Sequence, residues 1–168
     1  MLLRNYYWGM VGNLSFSEDS NFFLTSTAGG KSYGYTPAGL ITLCQIGNRM
    51  RSISKSKQSG GVCFGTGRKA ITLDDYFLSG NLITSLSGTS VISYEHDTTN
   101  NLITVTGVYT VTNGSSDNAV VGEMGVIANI RSDYYLIDRT LLDEPITIPP
   151  GEIAKITYTI KFAYPNPD

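Results

Sequence analysis

The most regular pattern in the chain lies near its end. Over residues 153–162, Ile156, Tyr158, Ile160 and Phe162 fall on one side, and Lys155, Thr157, Thr159 and Lys161 on the other. A period of two describes a strand with one buried and one wet face. Its β-branched and aromatic residues suit a pleated surface. Residues 102–111 repeat the pattern. Ile103, Val105, Gly107, Tyr109 and Val111 share a face, and Thr104, Thr106, Val108 and Thr110 take the other. Shorter runs at 91–96, 120–127, 134–140 and 146–148 read as further strands. Polar turn text separates them at 97–101, at 113–118 and at Pro149-Pro150-Gly151-Glu152, where prolines exclude helix and remove ladder donors. Six strands between 91 and 162, spaced at roughly 10–15 residues, form a sandwich or barrel signature. Two or three more strands are expected from residues 20–65, including 22–24 and 40–46.

The expected fold is therefore an all-β antiparallel sandwich, in the jelly-roll or immunoglobulin-like range. Residues 1–20 form an extended N-terminal arm, and 21–168 a single domain with long loops. The segments between the strands are irregular. Residues 28–37 are rich in Gly and Tyr and read as a loop. Residues 48–61 are polar and basic. In 71–76, Thr72 and Asp75 have the spacing of a capping box and predict a short helical turn. Gly122 and Gly125 inside a strand point to a bulge or a close backbone approach.

Composition changes this picture in one respect. Charged residues make up 15% of the 168, well below the roughly 25% of an average domain, while Gly numbers 18 and Tyr 11. Low charge with many turn and aromatic residues suits a β protein that meets neighbours. The charge is also divided. Residues 1–84 hold eight Lys/Arg against four Asp/Glu, and residues 85–168 hold four against ten. Head-to-tail contact between copies, basic half to acidic half, would use that division; chance scatter over a solvated surface is the plainer account. The aromatic cluster Tyr6, Tyr7 and Trp8 would be a sticky patch if left exposed. Tyr33 and Tyr35 sit in the Gly-rich loop. Arg49, Arg51, Lys55 and Lys57 place four positive charges in nine residues. These nine residues are the candidate interface positions. No apolar run approaches the ~18 residues of a membrane helix. Asn5, Gly9, Gly12 and Asn13 interrupt any leader-like stretch at the start.

Candidate chemistry is sparse. Gly29-Gly30-Lys31-Ser32 lacks the first glycine of a phosphate loop, and Gly65-Thr66-Gly67 lacks the third glycine and helix of a dinucleotide fingerprint. His96 is the single imidazole, Cys44 and Cys63 stand apart, and no Gly-x-Ser-x-Gly elbow is present. No catalytic set, cofactor site or metal site is read here. A calcium site at Asp117/Asn118 lacks EF-hand spacing. Neighbouring carboxylates such as Asp74-Asp75 read as loop acidity. The basic run at 49–57 has no interleaved aromatics, so nucleic acid is not favoured over a solvated loop or a subunit contact. Asn113-Gly114-Ser115 matches a glycosylation sequon but reads as a turn. Glu123, Asp138 and Arg139 fall inside strands, where charge is unusual; paired across strands they would fix register as a buried or interfacial ion pair.

Three segments carry a resemblance. Residues 61–84, GVCFGTGRKAITLDDYFLSGNLIT, resemble a "GTG…DDY.L" entry segment. Residues 104–128 resemble paired strands with a "TNxS" turn and an "E-x-G" step, here Glu123-Met124-Gly125. Residues 134–162 resemble the ending "LLxRxxLDxPITIxPGExxxxTYTI", the most specific of the three. Together they resemble a family of small structural proteins of tailed-bacteriophage virions. The resemblance implies a virion component that is assembled in the bacterial cytoplasm and meets other copies of itself and other virion proteins. It implies no enzyme activity and no membrane. A tail, neck or collar protein is the first reading. A capsid decoration or head-fibre protein is one alternative, and a receptor module that stacks host glycans on Tyr33 and Tyr35 is another.

Overall fold

The computed structural model describes residues 24–25, 27–29, 31–32, 50–130 and 133–163. The expected N-terminal arm and the strand at 40–46 lie outside these residues. The described chain is all β: β1 (Leu24–Thr25), β2 (Lys31–Ser32), β3 (Gly61–Gly65), β4 (Leu86–Asp97), β5 (Leu102–Asn113), β6 (Ala119–Ile130), β7 (Asp133–Ile148) and β8 (Ile153–Ala163). Apart from the small β1–β2 hairpin, these strands form two antiparallel sheets, β3-β6-β7 and β4-β5-β8. The two sheets pack face to face as a sandwich. Their shared core holds Val62 and Phe64 of β3, Tyr109 and Val111 of β5, Val126 of β6, Ile137 of β7, and Ile156, Tyr158 and Ile160 of β8. Phe64 and Tyr109 meet edge to face across it, centroids 6.1 Å apart, a preferred aromatic geometry.

The alternating strands behave as their pattern requires. Val105, Gly107, Tyr109 and Val111 of β5 are buried, as are Ile156, Tyr158 and Ile160 of β8. Lys155, Thr157, Thr159 and Lys161 are exposed. The Phe162 side chain lies outside the described set. β4 begins at Leu86, five residues before the alternation becomes visible.

β7 departs from expectation. The runs at 134–140 and 146–148 are one strand of 16 residues rather than two. Two irregularities in its pairing with β6 explain the apparent break. Val121 pairs with Ile146 but Glu123 with Leu141, so residues 142–145, with Pro145, loop out opposite Gly122. A proline is tolerated in a bulge because it need not donate there. Val126 pairs with Asp138 but Ile127 with Leu136, leaving Ile137 as an extra residue. That second bulge turns both Ile137 and Asp138 toward the sandwich interior and sends Leu136 and Arg139 to the opposite face.

The far face of β3-β6-β7 is also covered. Residues 66–82 fold back over it, and Phe77 and Leu78 pack with Cys63, Ile127 and Leu136 in a second apolar cluster. The expected helical turn at 71–76 is a hydrogen-bonded turn and no helix. Thr72 does exchange bonds with Asp75: its N–H and Oγ1 donate to the carboxylate at 3.0 and 2.9 Å.

Candidate functional site

Two of the three buried charges among the described residues, Glu123 and Arg139, lie together beneath the 66–82 cover. Glu123 of β6 and Arg139 of β7 sit diagonally across the ladder, since Arg139 pairs with Gly125. Both side chains are buried, and the Arg139 Nε donates to Glu123 Oε2 at 2.7 Å. The guanidinium also donates to Asp75 at 2.5 Å, to the Lys69 carbonyl at 2.8 Å and to Ser79 Oγ at 2.7 Å. Glu123 is equally engaged. Its Oε1 accepts from the backbone N–H of Gly67 at 3.0 Å and of Gly80 at 2.8 Å; its Oε2 accepts from Ser79 N–H at 3.1 Å and Ser79 Oγ at 3.2 Å.

A charge pair withdrawn from water is held only when its remaining hydrogen-bond positions are filled. Here the filling groups come from the covering segment. Burial drives the Glu123 pKa upward, but the Gly80 and Ser79 amides and Arg139 outweigh it and hold the carboxyl below its ordinary value. Asp75 is balanced the same way: burial raises it, and Thr72 and Arg139 bring it below its ordinary value. Gly67 and Gly80 approach so closely that a Cβ on Gly67 would overlap the Glu123 carboxylate and Ser79 Oγ. The Gly65-Thr66-Gly67 text thus serves a close backbone approach. Arg68 reinforces the cover, donating at 3.1 Å to the carbonyls of Leu142 and of Asp143 in the β7 bulge.

On the inner side of the same strand, the Tyr158 hydroxyl of β8 donates to Asp138, joining the two sheets. Burial, together with the Asp138 charge, pushes the Tyr158 phenol well above its ordinary pKa. Tyr109 donates to the Met50 carbonyl at 2.7 Å.

A second polar node closes the other end. Asn113 is fully buried at the end of β5. Its amide donates to the Asp117 carbonyl at 2.7 Å and the Ile148 carbonyl at 2.9 Å, and its Oδ1 accepts from Ser115 N–H and Oγ, each at 3.1 Å. Its backbone bonds the Pro-Pro-Gly corner: Gly151 N–H donates to the Asn113 carbonyl at 2.8 Å, and Asn113 N–H to the Glu152 carbonyl at 3.1 Å. Gly151 has φ +74°, which glycine adopts without strain, and Glu152 N–H bonds the Pro149 carbonyl to complete the turn. The sequon asparagine is thus consumed in the fold.

The nine candidate interface residues divide. Tyr6, Tyr7, Trp8, Tyr33, Tyr35 and Arg49 lie outside the described residues. Arg51, Lys55 and Lys57 are exposed on the 50–60 segment. Lys57 turns inward enough for its Nζ to lie 4.7 Å from the Phe77 ring centroid. His96 is exposed at the end of β4. Cys63 is buried on the other sheet, its Sγ 3.4 Å from the Gly125 carbonyl, and burial, with the Glu123 charge, pushes its thiol pKa up. The structure does not bring these two together as a nucleophile and base. Among the described residues no three His, Cys, Asp or Glu side chains gather in a group that could hold a metal ion, and no helix is long and apolar enough to cross a membrane.

The in-strand charges Glu123, Asp138 and Arg139 were legible as an ion-pair candidate. Their partners Gly67, Ser79 and Gly80 were not, because a covering loop has no period. The Asn113 node was visible only as turn chemistry. The chain matches no protein-family model, no curated protein and no solved structure.

Proposed function

We propose that this chain is a structural subunit of a tailed-bacteriophage virion that works through contacts between subunits, as a tail, neck or collar component. One observation carries the reading. The three segments that resemble the phage family converge on the same buried node: Gly67 and Asp75 from the first, Glu123 from the second and Arg139 from the third. Each segment needs the other two to satisfy its buried polar groups. Residues arranged this way hold a fold together. The side chains at the centre of the resemblance fill one another's hydrogen-bond positions.

The assembling role also draws support from the low charge of the chain and from the broad polar, β-branched outer face of the β4-β5-β8 sheet. Other copies of the chain and other virion proteins would be its partners, after synthesis in the bacterial cytoplasm.

Mass spectrometry and image reconstruction of purified particles test the reading. The expected result is a stoichiometric component at a ring-like copy number. A copy number in the hundreds, or tied to the vertices, would replace the tail, neck or collar position with capsid decoration or a head fibre. Absence of the protein from purified particles would overturn the virion role.

A further inference from the structure

The outer face of the β4-β5-β8 sheet carries its charges in an ordered way. Registered rows cross the three strands, and residues paired in an antiparallel ladder point to the same side. One row reads Glu95–Thr104–Lys161 and the row four residues along reads Val91–Val108–Thr157. The acidic end of the first row therefore lies on β4, and its basic end on β8. With strands about 4.8 Å apart, Glu95 and Lys161 are separated by about 10 Å at the backbone. Both are exposed, and neither enters an ion pair with a described residue. The rest of the face is mostly threonine and serine with a few apolar residues left in water: Val91 is 71% exposed and Ile153 65%.

We propose that this face is a self-complementary interface that takes a second copy of the chain, related by a two-fold axis running along β5. Rotation about that axis exchanges β4 and β8 while keeping each row at its own height. Glu95 of one copy then stands over Lys161 of the other, and the pair is made twice. Val108 meets Val108 on the axis, and the Thr and Val side chains of the two faces interleave as in an aligned sheet packing. The alternative two-fold, perpendicular to the strands and centred on β8 between its two lysines, would set Lys155 against Lys161, which like charge opposes. Three strands of about eleven residues present about 500 Å² per copy, about 1,000 Å² for the pair, at the lower limit for a specific interface. The association is accordingly weak in dilute solution and fit for a crowded assembly. It deepens the assembling-subunit reading by naming the partner and the surface.

Sedimentation velocity from about 1 to about 300 µM at low salt is the test, with folding of each variant checked by circular dichroism. The wild type should dimerise in the micromolar range, and Glu95→Lys and Lys161→Glu should each weaken the dimer about tenfold or more. The double variant E95K/K161E should return to within about threefold of wild type, because the swap rebuilds the same pair in reverse. A chain that stays monomeric throughout, a dimer indifferent to the single changes, or a double variant no better than the singles would each overturn the proposal. Monomers that still enter particles overturn this interface alone; a charge-governed dimer absent from particles overturns the virion role alone.

Discussion

The two sheets of the sandwich share one core yet differ in what lies on their other side. β3-β6-β7 is covered twice, by its partner sheet and by residues 66–82; every residue of β3 is buried. β4-β5-β8 is covered once. Its outer side presents threonines, Lys155 and Lys161, and β4 is exposed along most of its length. Double cover brings Glu123 and Arg139 into a water-poor layer, where each depends on the other. On the single-covered sheet the charges stay in water: Asp97 bonds only its own turn, through Thr99 and Asn100, and Glu95 and Lys161 are exposed. The same antiparallel geometry thus carries internal stability on one side and a surface available to neighbours on the other.

The largest effect should come from breaking the double-covered side. Arg139→Met leaves Glu123 buried without its counter-charge and frees Asp75, and loss of one partner of a buried pair costs about 3–5 kcal/mol. Urea unfolding followed by fluorescence measures it, and a loss below about 1 kcal/mol would mean that the backbone amides alone hold Glu123.

Acid should act on the same layer, more mildly. Asp75 and Glu123 are both held below their ordinary pKa values. A lowered carboxylate contributes stability that is complete above its unfolded value of about 4 and vanishes as pH falls through the folded values. Hydrogen exchange at about pH 3 should therefore release residues 66–82 before the β5 and β8 core. The double variant Asp75→Asn with Glu123→Gln should show a flatter dependence of the urea midpoint on acid. Equal release of both sheets would erase the distinction drawn between them.

The smallest effect belongs to the outer face. Val91→Thr keeps the β-branched shape, and at protein concentrations below about 1 µM it should move stability by no more than about 0.5 kcal/mol. A larger loss in the monomer would show that this side is also packed from within.

The contrast explains what the sequence disclosed. Strict alternation survives only where one face is wet, so the alternation of β5 and β8 was legible, apart from Ile103, which is 39% exposed near the start of β5. β3 has no alternation because both its faces are buried, and GVCFG gave only glycine and apolar text. β7 looked like two strands because Pro145 and the residues around it form a bulge, and a bulge is set by the partner strand. Thr72 and Asp75 were correctly paired, but the helix they would have capped is replaced by a turn that delivers Asp75 to Arg139. Charges inside strands marked Glu123 and Arg139. What they hold was unreadable, because Gly67, Ser79 and Gly80 reach them from far along the chain.

That distance also bears on the order in which the molecule can be made. The bonds from Gly67 to Glu123 and from Arg139 to Asp75 join residues 56 and 64 positions apart, and Arg68 reaches 75 positions to Asp143. Residues 66–82 leave the ribosome long before the strands that receive them. At translation rates of about 5–20 residues per second, several seconds pass before β7 is available. Closing such long loops is slow in itself, since their entropy must be lost before any contact compensates. Residues 66–82 therefore cannot take up their place over Glu123 and Arg139 until both β6 and β7 have been made.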